Sequence, residues 1–164
     1  MPERVTIRPA TQADADTWLA LVDALADYEK LARPTAEARG RLLTDAFGPE
    51  PRRIQVYMAS AEGRDVAYAI TLETYSSFLA LPTLYLEDLF VLPDARRLGV
   101  GSAMFRYLAA EAVRRGCGRM EWVVLDWNQL AIDFYEKLGA ERMREWYTYR
   151  LGAEQLREIA SAGA

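Results

Sequence analysis

The chain has 164 residues, of which 51% are hydrophobic and 27% charged, with a formal net charge of −4. This is the size and composition of one globular domain able to bury a core, and its acidity argues against a nucleic-acid-binding role. Histidine is absent and Cys117 is the single cysteine, which excludes histidine triads, His-ligated metal sites and an intrachain disulfide, and leaves proton transfer at neutral pH to carboxylates, tyrosine, lysine, cysteine or water.

Val5-Thr6-Ile7-Arg8 alternates as a strand and Pro9 ends it. Thr11 and Asp14 fit a capping box that opens a helix from about Gln12 to Glu29, with Trp18, Leu21, Val22, Leu25 and Tyr28 at helical spacing. A second helix is expected over Ala36 to Phe47, stopped by Gly48-Pro49. Ile54–Ser60 and Val66–Tyr75 read as strands joined by a turn at Glu62-Gly63-Arg64-Asp65, and Leu84–Val91 as a third that Pro93-Asp94 closes. Gly99–Arg115 reads as a helix with Gly116 as its stop, followed by the turn Gly116-Cys117-Gly118 and a strand over Arg119–Leu125. A helix over Gln129–Leu138 capped by Gly139, a last strand over Arg142–Leu151 and a short terminal helix complete the series.

Strand, helix and strand between Leu84 and Leu125 form a parallel crossover unit, so an α/β sheet of mixed strand direction is expected. No repeat, low-complexity tract or long linker interrupts residues 1–164, which read as a single domain. No apolar run approaches the roughly 20 residues that cross a bilayer, and Met1-Pro2-Glu3-Arg4 does not lead into the apolar core of a signal peptide. With one cysteine as well, a cytoplasmic, reducing setting is expected.

The chemistry concentrates between Leu84 and Ser102. A strand ends, a short loop containing Arg96, Arg97 and Gly99 follows, and a helix starts at once. Unpaired amides at a helix start attract anions, and glycine admits close approach of a phosphate. A tight strand-to-helix turn would explain the glycines equally well. The loop lacks the Gly-Lys-Ser/Thr of a Walker loop and the three glycines of a dinucleotide fingerprint.

Arg96-Arg97-Leu98-Gly99-Val100-Gly101 resembles the Gln/Arg-x-x-Gly-x-Gly/Ala signature of the GNAT superfamily of N-acetyltransferases. Downstream, Asn128-Gln129-Leu130-Ala131-Ile132-Asp133-Phe134-Tyr135, with Gly139 at the helix end, is similar to that superfamily's second marker. Tyr85-Leu86-Glu87-Asp88-Leu89-Phe90-Val91, Ile7-Arg8-Pro9-Ala10-Thr11 and Leu25-Ala26-Asp27-Tyr28-Glu29 extend the likeness to the spermidine/spermine and thialysine N-acetyltransferase branch. The resemblance implies a GNAT-type fold: a central mixed sheet flanked by helices, with splayed parallel strands in its middle.

It also implies acetyl-CoA as cosubstrate and no metal. The pantetheine arm would pair with the backbone of Leu89, Phe90 and Val91, and the pyrophosphate would take the loop and helix start formed by Arg96, Arg97, Leu98, Gly99, Val100, Gly101 and Ser102. Asn128 and Ala131 would hold the pantetheine, although Asn128 also suits a helix N-cap. By the same resemblance Tyr135 is the acid that protonates the departing thiolate, and Glu87 the base, acting through water. Adjacent residues on a regular strand face opposite ways, so only one of Glu87 and Asp88 would face the reaction, the other being a structural charge beside an arginine.

Tyr28, Glu29 and Glu87, with Glu145 and Trp146 near the last strand, would contact a small cationic amine, and Glu73 and Tyr75 are further lining residues. The implied partners are a small-molecule amine and a second copy of the chain in a homodimer, with no nucleic acid and no membrane. Protein or peptide N-acetylation is the alternative within the enzyme class. A non-catalytic acyl-CoA-binding module is the alternative outside it.

Overall fold

The computed structural model describes residues 5–163; Met1–Arg4, at which the absence of a signal peptide was read, lie outside the described residues. The described chain forms two compact units, one ending at Val123 and the other starting at Val124.

The first unit is a five-stranded sheet in the order β1-β2-β3-β4-β5, with β1 Thr6–Pro9, β2 Gln55–Ala61, β3 Arg64–Ser76, β4 Leu81–Val91 and β5 Arg119–Glu121. The first four strands run antiparallel to their neighbours, and β4 and β5 run parallel. The β2–β3 turn is tight because Glu62 (φ 55°) and Gly63 (φ 73°) both lie in the left-handed region, the backbone twist that a two-residue hairpin requires.

Helix α1 (Ala15–Tyr28) follows a short 3-10 turn at Gln12–Asp14, and α2 spans Ala36–Phe47. The expected capping contact forms, since the Thr11 amide donates to Asp14 Oδ2 at 2.7 Å. The residues after it are wound more tightly than the α-helix expected from Gln12. Thr35 Oγ1 caps α2 by accepting from the Ala38 amide at 3.2 Å. Trp18 and Leu21 of α1 and Ala46 of α2 pack on Val56, Met58, Tyr68, Ile70 and Phe90 from one face of the sheet. Each large side chain so buried contributes about 1.5–3 kcal/mol.

On the other face, α3 (Val100–Arg114) buries Val100, Met104, Phe105, Leu108 and Ala112, a stripe at helical spacing. It contacts β1, β2, β4 and β5.

The second unit contains α4 (Gln129–Lys137) and α5 (Ala153–Ser161). The strand expected over Arg142–Leu151 is not formed: among the described residues this segment joins no ladder, and its residues are exposed. Alternation makes a segment competent for a sheet, but a strand exists only where another strand supplies its hydrogen bonds. The strand expected over Arg119–Leu125 likewise stops at Glu121.

Candidate active site

A discontinuity in β4 organises the candidate residues of the first unit. Opposite β3, Ile70 pairs with Asp88 and Thr71 with Leu86, so Glu87 is an extra residue with no partner in the register. This is a β-bulge, which bends and twists the strand that carries it. On the other side, β4 and β5 pair only from Thr83↔Arg119 to Tyr85↔Glu121. Pairing ends where the bulge begins, and among the described residues β4 has no β5 partner from Leu86 to Val91. The open edge next to the bulge lies where the resemblance implies splayed parallel strands. Leu89, Phe90 and Val91 lie along this stretch, bonded through β3 to Ala69, Tyr68 and Ala67.

The strand runs into the arginine–glycine loop. Arg97 (φ 72°) and Gly99 (φ 77°) both adopt left-handed backbone, and Gly99 is the N-cap of α3 with no side-chain cap bond. The first intrahelical bond runs from the Ala103 amide to the Gly99 carbonyl at 2.9 Å. The amides of Val100, Gly101 and Ser102 therefore have no acceptor within the helix. No acidic side chain occupies that first turn. A Cβ on Gly99 would meet nothing within 4 Å, so the glycine is needed there for its φ and leaves open space before the amides.

Arg97 and Leu98 are exposed. Arg96, expected to add charge at the loop mouth, is half-buried and packs against aromatic rings. Its guanidinium carbon stands 4.8 Å from the Tyr28 ring centroid and 6.0 Å from that of Phe90. Its Nε donates to the Val91 carbonyl at 3.2 Å. Aromatic faces attract a guanidinium, and the carbonyl takes one of its donors.

Tyr28 and Glu29, at the end of α1, come to the same face of β4, with the Tyr28 ring 6.2 Å from Phe90. Burial pushes the Glu29 carboxyl up from its ordinary value. Below them the Tyr68 hydroxyl donates to Asp88 Oδ2 at 2.9 Å. Burial raises the Asp88 carboxyl to about 6; the Tyr68 hydrogen bond opposes the rise, and Glu87 and Glu29 add to it. Burial and the adjoining Asp88 carboxylate push the Tyr68 phenol far up, so it remains a neutral donor.

Glu87 is exposed at the bulge, whereas Asp88 is drawn inward. The simple alternation of faces expected for this pair does not apply across a bulge. The inward carboxylate meets a phenol where an arginine was expected. Sequence reasoning missed Tyr68 and Asp88 as a pair, because Tyr68 sits in an apolar run that reads as core and nothing in the local sequence announces the bulge. Glu73 and Tyr75, expected as further lining, lie elsewhere on β3: Glu73 Oε1 is 3.6 Å from Arg115 Nη1, and Tyr75 is exposed.

In the second unit, Asn128 is the N-cap of α4, its Oδ1 accepting from the Ala131 amide at 3.2 Å. This is the capping role that was open for it from sequence. Tyr135 is half-buried on the same helix, its ring 5.8 Å from that of Phe134. Glu145 and Trp146 lie in the exposed segment after α4.

No helix among the described residues is long and apolar enough to cross a membrane. Residues 18–140 match the acetyltransferase (GNAT) family. The chain is 34% identical, over 95% of its length and 97% of the relative's, to a thialysine N-epsilon-acetyltransferase of Bos taurus. It is 31% identical, over 94% of its length and 23% of the relative's, to spermidine/spermine N(1)-acetyltransferase-like protein 1 of Homo sapiens. The solved structure of an aminoglycoside N-acetyltransferase in complex with CoA superposes with a TM-score of 0.74 at 20% identity, covering 92% of this chain and 97% of that one; at that identity the likeness is one of fold. The family match and the near full-length similarity to the bovine protein place the chain in the GNAT acetyltransferase family.

Proposed function

We propose that the chain is a single acetyltransferase domain that moves the acetyl group of acetyl-CoA onto a primary amine of a small cationic acceptor, a polyamine, thialysine or a related diamine-like amino acid. The observation that carries this reading is the bulged strand β4. Among the described residues one stretch of it is open on its β5 side and leads to an acid-free helix start, and Tyr28 and Glu29 at the end of α1 gather against the same stretch beside Asp88. An aliphatic diamine needs apolar walls and negative ends, and aromatic rings beside carboxylates provide both. The similarity to a thialysine N-epsilon-acetyltransferase supports the same acceptor class.

In this reading the pantetheine arm adds along Leu89, Phe90 and Val91 as an extra strand would. The pyrophosphate takes the amides from Arg97 through Leu98, Gly99, Val100 and Gly101 to Ser102, with Arg97 supplying charge. Arg96 supports the loop from beneath through the Val91 carbonyl. Asn128 and Ala131 hold the pantetheine. The acceptor nitrogen attacks the thioester carbonyl carbon, the N–C bond forms, the C–S bond breaks, and the Tyr135 phenol protonates the thiolate. Glu87, exposed at the bulge, draws the acceptor's proton away through water. Tyr28, Glu29, Glu145 and Trp146 contact the acceptor. The protein works in the cytoplasm, and a second copy pairs along Arg142–Leu151, where a strand-competent segment carries exposed Trp146, Tyr147 and Tyr149.

Thiol release from acetyl-CoA, measured with spermidine, spermine, putrescine, thialysine, lysine and a lysine peptide, tests the reading. Saturable turnover with a free diamine or diamine-like amino acid is expected. Saturation by the peptide alone would transfer the activity to protein amines, and tight acetyl-CoA binding without turnover would make the chain a binding module.

A further inference from the structure

Strand β4 carries two acids side by side at its bulge, and the structure holds them differently. Tyr68 is 0% exposed, packed among Trp18, Leu21, Ile70 and Phe90, and its hydroxyl reaches Asp88 Oδ2 at 2.9 Å. The register places Asp88 opposite Ile70, two residues from the Tyr68↔Phe90 pair and so on the same face. Glu87 has no register partner and stays exposed. The titratable groups acting on Asp88 are Tyr68 from β3, Glu29 from the end of α1, and Glu87 beside it. The Arg96 guanidinium on this face is stacked on Tyr28 and Phe90.

We propose that Tyr68 is a positioning residue for acetyl transfer: its buried hydroxyl anchors one oxygen of Asp88 so that the other receives the proton of the acceptor ammonium, which Glu87 then passes to solvent. This rests on the acceptor reading given above, and it adds to the proton path there a buried member that touches the substrate. One ammonium proton goes to Asp88. The freed amine forms the N–C bond, the second N–H proton balances the one the departing thiolate takes up, and Asp88 returns its proton through Glu87 to water. An ordinary carboxylate is too weak a base for an alkylammonium, and the burial that raises Asp88 narrows that gap. The Tyr68 hydrogen bond stabilises the anion and keeps Asp88 ionised at neutral pH.

The test uses the full chain and two variants. Aspartate 13Cγ shifts give the midpoint of Asp88 directly, and kcat/KM for the amine is followed across the same pH range. In Tyr68→Phe the Asp88 midpoint is expected to rise by about one unit, so that kcat/KM at pH 6 falls roughly fivefold and at pH 9 returns to within about twofold of wild type. A merely structural Tyr68 would depress activity equally at both pH values. Asp88→Asn, whose amide oxygen can still accept from Tyr68, should lose the acidic limb. An Asp88 midpoint unmoved in Tyr68→Phe, or a wild-type acidic limb in Asp88→Asn, would overturn the proposal. Failure of every amine to give turnover would count against the acceptor reading, while the 13C titration would still decide whether Tyr68 controls Asp88.

Discussion

Replacing Gly99 by aspartate and, separately, by asparagine isolates the charge that a phosphate site should feel. Gly99 has φ 77° and ψ 10° at the start of α3, and a Cβ there would meet nothing within 4 Å. The structural cost is therefore backbone strain alone, about 1 kcal/mol, or a Tm lower by about 2–4 °C. Asparagine and aspartate tolerate left-handed backbone comparably, so this cost nearly cancels between them. What remains is one negative charge before the amides of Val100, Gly101 and Ser102. At about 5 Å from a phosphate oxygen, with an effective dielectric of about 20–80, the repulsion is about 1–3 kcal/mol, or roughly 5- to 150-fold in Kd. Calorimetric titration of acetyl-CoA into both variants at two salt concentrations reads it. The aspartate variant should bind more weakly than the asparagine variant, and added salt should narrow the difference. Equal affinities at low salt would refute placement of the pyrophosphate at this helix start.

Three further expectations follow from other parts of the molecule. Tyr135→Phe should lower kcat about 100-fold while the acetyl-CoA Kd changes little, as stopped-flow thiol release and equilibrium binding would report; unchanged turnover would remove Tyr135 as the acid. Asp14, which accepts from Arg8 at 2.7 and 2.8 Å, is held at about 2, mainly by that hydrogen bond and against the effect of burial. A lowered carboxyl stabilises the fold above its unfolded value near pH 4 and loses that contribution as pH falls through about 2. Asp14→Asn should thus cost about 1–2 kcal/mol at pH 7 in urea unfolding and converge with wild type near pH 2. Truncating both Trp146 and Tyr149 to alanine should lower the self-association measured by sedimentation if a second copy pairs along Arg142–Leu151.

Much of the fold could be read from local patterns. α2 spans Ala36–Phe47 and stops at Gly48-Pro49 as expected, and Trp18 and Leu21 face the core as their spacing implied. The failures arise where structure depends on a distant partner. Arg142–Leu151 has the alternation of a strand, but alternation cannot supply a ladder. The bulge at Glu87 is a mismatch between two strands, and neither strand records it alone. The two family motifs could be read by type and spacing, and the structure places the first at the strand-to-helix loop before α3 and the second on α4. The contacts of Arg96 with Tyr28 and the Val91 carbonyl are tertiary, so spacing did not show them. The Asp88–Tyr68 pair was missed for the same reason: its significance comes from burial, to which spacing is blind.

The most direct test of the central claim is a competition experiment. Acetyl-CoA labelled with 13C in the acetyl group is supplied with equimolar thialysine, spermidine and a lysine-containing peptide, and the products are identified by mass spectrometry. Label on a primary amine of thialysine or spermidine, dependent on the protein and lost in Tyr135→Phe, is the predicted result. Label confined to the peptide, or intact acetyl-CoA with no acetylated amine, would contradict the assignment of a small cationic acceptor.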